Sequence, residues 1–171
     1  MTPLKITASS YDRATFVAAY GGVYEHSPWV AETVWDRRTG AEIDTLEALT
    51  AVMRKTVDEA DESRKMVLIC AHPDLAGKTA VRGDLTVESR SEQQGAGLDQ
   101  CTEQEFEDFQ SLNAAYKLKF GFPFIIAVKG HDRHSILAAF RARINHDREQ
   151  EFHTALEQIH QIAGFRLAAL T

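Results

Sequence analysis

Two cysteines in 171 residues, Cys70 and Cys101, are too few and too far apart for a disulfide framework or a zinc pattern. Cys70 closes the apolar run Met66-Val67-Leu68-Ile69 and reads as a buried free thiol, since free cysteine packs as a small hydrophobe. A basic surplus is also missing. The formal charge of −6 argues against a nucleic-acid partner, while leaving room for a locally basic pocket. No segment reaches the ~18 apolar residues of a membrane span, and residues 1–10 hold no apolar leader core. Ala168 to Thr171 do not form a peroxisomal tripeptide. The expectation is a soluble chain in a reducing cytoplasm, with no membrane or nucleic-acid partner.

Several chemical signatures are absent as well. There is no glycine-rich phosphate loop, dinucleotide fingerprint, GxSxG elbow or HExxH helix, which removes the common cofactor and hydrolase classes. His131 and His134 have a metal-like spacing, but no acidic pair adjoins them at ligand positions. His146, His153 and His160 lie in charged stretches and read as surface. The four prolines mark turns rather than a linker, and no repeat interrupts the chain. One domain covering residues 1–171 is expected. A chain of this length buries about 70 % of its unfolded surface, so it folds without a metal or disulfide.

What remains is helical periodicity. Ser10 is placed to cap a first helix through Tyr20, with Phe16 and Val17 on its apolar face and Gly21-Gly22 as its stop. Ser27-Pro28 reads as an N-cap with proline at the first helical position, opening a helix to about Gly40. Asp44-x-x-Glu47 is a capping-box variant ahead of Leu46, Leu49, Met53 and Val57. Leu68 and Ile69 suit a helix or a strand, and His72 before Pro73 marks a break. Thr86 opens a helix to Gln94, stopped by Gly95 and Gly97. Thr102-x-x-Glu105 is a capping box ahead of Phe106, Phe109, Leu112, Tyr116 and Phe120. Gly121 and Pro123 break the chain before a β-favouring run through Val128. Two further helices carry Ile136, Phe140 and Ile144, then Phe152, Leu156, Ile159, Ala163 and Leu170. The pattern describes an all-α, single compact domain of about eight helices, with one short extended segment near 124–128.

Four constellations can carry chemistry. Ser89, Glu92 and Gln93 are related by i, i+3 and i+4, so a hydroxyl, a carboxylate and an amide share one helix face, continued by Ala96. A solvated helix surface is the plainer reading of such a face taken alone. His72 leaves a buried run at a proline break, which aims a neutral-range acid–base group towards a cleft or surface, although a lone histidine is more often structural. Arg166 falls on the core-facing stripe of the last helix, where a guanidinium must snorkel or meet an anion. Phe120-Gly121-Phe122-Pro123-Phe124 makes a rigid apolar turn, and the backbone beyond it requires hydrogen-bond partners.

These strings occur in a recognisable order. Phe16-Val17 precedes Gly21-Gly22-Val23-Tyr24-Glu25-His26-Ser27-Pro28-Trp29, and Ala71-His72-Pro73-Asp74-Leu75-Ala76-Gly77 follows. Ser89-x-x-Glu92-Gln93-x-x-Ala96-Gly97-Leu98 comes next, then Phe109-x-x-Leu112-Asn113-x-x-Tyr116, the phenylalanine turn and Arg166-Leu167. Over about residues 11–170 the sequence resembles the OHCU decarboxylases, which act on 2-oxo-4-hydroxy-4-carboxy-5-ureidoimidazoline in urate degradation. The resemblance implies an all-helical homodimer without metal or organic cofactor that forms (S)-allantoin. It implies His72 as the catalytic proton donor and Glu92 as its acidic partner. Pro73, the stretch Ser89-Arg90-Ser91-Glu92-Gln93 and the stretch Phe124-Ile125-Ile126-Ala127-Val128 would line the substrate, with Arg166 on its anionic side. Cys70 is a departure, standing where relatives often carry a basic or polar residue. Two other classes compete: a non-catalytic helical module that binds allantoin or another ureide, and a helical interaction protein with no small-molecule site.

The electron sink in the implied substrate is its own C=N group, and no ligand cluster stands out in the sequence. Chelation and dialysis should therefore leave CO2 release from this substrate unchanged. A stoichiometric metal whose removal abolishes the rate would overturn that expectation.

Overall fold

Helix starts in this chain are set by short polar side chains. The carboxylates of Asp12, Asp61, Asp132 and Asp147 accept from the backbone N–H three residues on, at 2.7 to 2.8 Å. The hydroxyls of Thr45, Thr86 and Thr102 do the same at 3.2 Å. Each satisfies one orphan donor of a first turn, worth about 1 kcal/mol. They open α1 (Arg13–Tyr20), α3 (Leu46–Asp58), α4 (Glu62–Cys70), α5 (Val87–Gly95), α6 (Glu103–Phe120), α7 (Arg133–Arg143) and α8 (Arg148–Ala169). Among the described α-helices only α2 (Trp29–Arg37), which starts after Pro28, lacks a side-chain cap. The computed structural model describes residues 7–40, 42–77 and 85–170. Among them there are eight α-helices, two short 3-10 turns and no strand, so the fold is all-α. No helix among the described residues is long and apolar enough to cross a membrane.

Several boundaries differ from those the sequence suggests. Asp12, not Ser10, caps α1; Ser10 lies in the 3-10 turn before it. Asp44 is not a cap, because its carboxylate accepts from the Ser9 N–H and hydroxyl, both at 2.7 Å, and Thr45 takes the cap instead. Helix α2 ends at Arg37 rather than Gly40. The run Met66–Cys70 is helical, and the helical period explains why Cys70 is exposed rather than buried. Leu68 and Ile69 point inward, while Val67 and Cys70, three apart, share the outer face. Helix α7 stops at Arg143, leaving Ile144 as its C-cap, and Leu170 is exposed beyond the end of α8. The segment Phe124 to Val128 pairs with no strand.

The chain divides into two units. The first takes the described residues of Met1–Ala71 and His160–Thr171. There α1 packs on α2 and α2 on α3. Its core holds Phe16 against Tyr20 and Trp35, with ring centres 4.9 and 5.2 Å apart, and includes Leu49, Met53, Leu68 and Ile69. His160, read from sequence as surface, is buried there. Its Nδ1 meets the Tyr24 hydroxyl at 2.9 Å and its Nε2 meets Asp58 at 3.1 Å. Helical phase, not local charge, decides its burial: Ile159 and Ala163 flank it on the same inward stripe.

The second unit, His72–Ile159, is built round aromatic rings. Tyr116, Phe120, Phe122, Phe124 and Phe140 are all fully buried, and Phe124 stacks on Phe140 at 3.9 Å. Each such ring contributes on the order of 1.5–3 kcal/mol by burial. Beneath them lies Glu151, in the first turn of α8 and 0 % exposed. Its carboxylate accepts from Arg143 Nη2 at 2.9 Å and from the Tyr116 hydroxyl, and meets His146 Nδ1 at 2.8 Å. His146 is thus a half-buried partner of this carboxylate and not simply surface. Burial pushes the Glu151 carboxyl pKa up, but the bonds from Arg143, Tyr116 and His146 outweigh it, and the net pKa lies below the ordinary 4.5.

A pKa lowered by folding contributes stability that is complete above the unfolded value and is lost as pH falls through the folded one. Glu151→Gln should cost about 3–5 kcal/mol at pH 7, because it strands the Arg143 charge. In urea unfolding the gap between variant and wild type should narrow as the pH drops below about 4.5. A gap that is constant from pH 7 to acid would remove the carboxylate charge from the account.

Candidate active site

His72 stands where α4 gives out. Ala71 closes the helix, and Pro73 keeps the preceding backbone from resuming it. The His72 side chain is buried. The turn that follows puts Ala76 at φ +48°, a left-handed conformation that costs a residue with a Cβ about 1–2 kcal/mol. Four side chains hold it there. Gln93 accepts from the Ala76 N–H at 3.1 Å and donates to the Asp74 carbonyl at 3.3 Å. Asn113 donates to the Leu75 carbonyl at 2.9 Å, and Gln110 to the Ala76 carbonyl at 2.8 Å. Lys117 pairs with the Asp74 carboxylate at 2.6 Å. The loop after His72 is therefore fastened to α5 and α6 by backbone-directed amides.

On α5 the helical face argument is visible in the burial. Ser89 and Gln93 are buried, Glu92 is half-buried, and Ala96 continues the inward face, while Arg90 and Ser91 are exposed. A cavity of about 480 Å3 adjoins this helix, and its lining includes Ala76, Gly77, Arg90, Gln93, Gln94 and Phe106. Gln93 thus touches the cavity and the His72 loop together.

The segment 124–128 is buried throughout and has no regular secondary structure. Its Ile125 carbonyl accepts from Arg143 at 2.7 Å, and its Ala127 N–H donates to Gln158 at 2.8 Å. Arg166 belongs to the first unit, where it meets an anion of the chain itself: Nη1 lies 2.7 Å from the Glu25 carboxylate, with both side chains buried. The turn carrying Glu25 closes by a Ser27 N–H bond to the Tyr24 carbonyl at 3.0 Å, with His26 at φ +45°. Such positive φ at residues with side chains occurs here and in the His72 loop, and strain of this kind gathers at functional sites. Among the described residues no group of three or more His, Cys, Asp or Glu could hold a metal ion.

The family model of OHCU decarboxylase matches residues 9–168. The chain belongs to the OHCU decarboxylase family. It is 44 % identical over 160 residues to a 2-oxo-4-hydroxy-4-carboxy-5-ureidoimidazoline decarboxylase of Halalkalicoccus jeotgali, covering 94 % of this chain and 87 % of that protein. It is 41 % identical to part of a uric acid degradation bifunctional protein of Bacillus subtilis, covering 92 % of this chain and 30 % of that one. Among solved structures it resembles (S)-allantoin synthase with a TM-score of 0.76 and 38 % identity, covering 95 % of this chain and about half, 52 %, of that chain.

Sequence reasoning gave no role to Glu25, Asn113, Gln110 or Lys117. Glu25 and Asn113 stand inside motifs that carry the family resemblance, and polarity at a core-facing helical phase is the signal that marks Asn113. The family resemblance implies that Gln93 lines the substrate, and the structure places its amide on the His72 loop. Gln93→Leu should therefore lower stability by about 1–3 kcal/mol, since the Ala76 N–H loses its acceptor. Urea unfolding measures this, and unchanged stability would mean that the loop does not need the amide.

Proposed function

We propose that this chain is a carboxy-lyase that converts 2-oxo-4-hydroxy-4-carboxy-5-ureidoimidazoline to (S)-allantoin in urate degradation, and that residues 1–171 act as one functional domain. The observation that carries the reading is Gln93, whose amide joins the Ala71–Gly77 motif to the Ser89–Leu98 motif through Asp74 and Ala76. The family match running from residue 9 to residue 168 gives it further support.

The chemistry suits these side chains. The substrate carboxylate sits on a ring carbon that also bears a hydroxyl and adjoins a C=N carbon. Breaking the C–CO2 bond leaves an electron pair that flows into the C=N group, whose nitrogen takes up a proton, giving an enol. The ureido-bearing carbon is then protonated, and the hydroxyl gives up its proton as it becomes the carbonyl of allantoin. One proton is consumed overall, and the substrate supplies its own electron sink. His72 delivers the proton to one face of the ureido-bearing carbon, which fixes the product hand. Glu92 orients the imidazole or holds the substrate hydroxyl. Pro73, Ser89, Gln93 and the backbone of 124–128 line the ring and ureido group, with Arg90 and Ser91 at the margin. The resemblance assigns Arg166 to the anionic side of the substrate, and within its own unit that guanidinium meets the Glu25 carboxylate at 2.7 Å. The family resemblance suggests a homodimer, and two free cysteines suit a reducing cytoplasm.

The deciding assay adds the protein to freshly generated substrate and follows CO2 release together with optical rotation. A binding module would hold the ureide without releasing CO2, and an interaction protein would do neither. His72→Asn should fold normally and lose turnover by about 10²-fold or more. Glu92→Gln keeps the shape and should lower kcat more than it changes KM. Full turnover in a folded His72 variant would remove His72 from the mechanism.

A further inference from the structure

Arg143 is a charged side chain at a core-facing position of α7, and its guanidinium performs three tasks at once. It donates from Nε and Nη2 to Glu151, at 3.2 and 2.9 Å. From Nη1 it donates to the Ile125 carbonyl at 2.7 Å, and it lies 4.3 Å over the Phe124 ring. Two residues along, the Ala127 N–H donates to the Gln158 side chain at 2.8 Å. The 124–128 backbone has no partner strand, so side chains take over the role that a sheet ladder would fill. In an extended run the polar groups of residues two apart share an edge. By that rule the bonds at 125 and 127 fall on one edge and leave the opposite edge to Ile126. A backbone edge that offers both N–H and C=O is complementary to a cyclic ureide, which carries both groups in one plane.

We propose that Arg143 and Gln158 are positioning residues that fix the 124–128 backbone so that its opposite edge reads the ring and ureido amides of the substrate. This role rests on the reading above that 124–128 lines the substrate site. It makes the buried Arg143–Glu151–Tyr116 network a determinant of substrate affinity as well as of stability. Neither Arg143 nor Gln158 needs to touch the substrate.

Gln158→Leu tests the role at near-constant volume on a half-buried side chain. The Ala127 amide should exchange with deuterium about 10-fold faster or more, with α6 amides unchanged. KM for the substrate should rise about 10-fold while kcat stays within about threefold, the mark of lost uniform binding. Arg143→Lys keeps a charge opposite Glu151 but lacks the planar fork, and should move KM in the same direction. Faster exchange with an unchanged KM would overturn the positioning role and leave the decarboxylase reading intact. A loss that tracks thermal stability alone, with KM unmoved, would overturn it too. Wild-type protein that releases no CO2 would instead bring down the functional reading, and the positioning role with it.

Discussion

A carboxylate with none of its surface exposed has to be compensated wholly from within, and Glu151 is such a group. A lone buried charge would cost several kcal/mol, so its partners are obligatory rather than decorative. Those partners come from the Tyr116 hydroxyl of α6, the Arg143 fork of α7 and His146 between α7 and α8. Burial and the adjacent Glu151 raise the Tyr116 phenol pKa well above its ordinary value, so it stays protonated and donates. The fork has an N–H left over, and that N–H takes the Ile125 carbonyl. One desolvated charge thus ties three helices to the irregular segment 124–128.

Much of the fold is legible in the sequence because the helix signals are local. The Thr102–Glu105 capping box and the Thr86 cap stand where the pattern puts them, and Gly121 ends α6 in the left-handed conformation at φ +81°. The misplacements are equally physical. Asp44 looks like a cap until Ser9 claims its carboxylate, and that contact joins residues 35 apart. Ser10 yields to Asp12 because its hydroxyl is engaged in donating to the Thr7 carbonyl at 2.6 Å, while the Asp12 carboxylate accepts from the Thr15 N–H. An apolar run taken as a block would bury Cys70, whereas a helix of 3.6 residues per turn exposes part of any such run.

The candidate site is legible to a different degree. The burial of Ser89 and Gln93 on one face of α5, with Glu92 half-buried beside them, follows from spacing alone; Arg90 is exposed, yet it lines the cavity with Gln93. The proline break after His72 is likewise a matter of local backbone. What no local pattern contains is the fastening of that loop, because Gln110, Asn113 and Lys117 reach it from 34 to 43 residues away in sequence. A charged residue on a core stripe announces that a partner exists without naming it. For Arg166 the partner is Glu25, and for Arg143 it is Glu151.

Contact order separates the two units in time as well as in composition. The unit 72–159 is one unbroken stretch of chain, so a ribosome has delivered every residue of it before the last turns of α8 emerge. The other unit is split, and its buried polar groups wait on its late piece. Tyr24 meets its histidine partner 136 residues later, and Glu25 its arginine 141 residues later, at position 166. Domains generally fold as units from the N-terminus during synthesis. Here residues 7–71 emerge before the other unit and are completed after it, when residues 160–170 bring His160 to Tyr24 and Arg166 to Glu25.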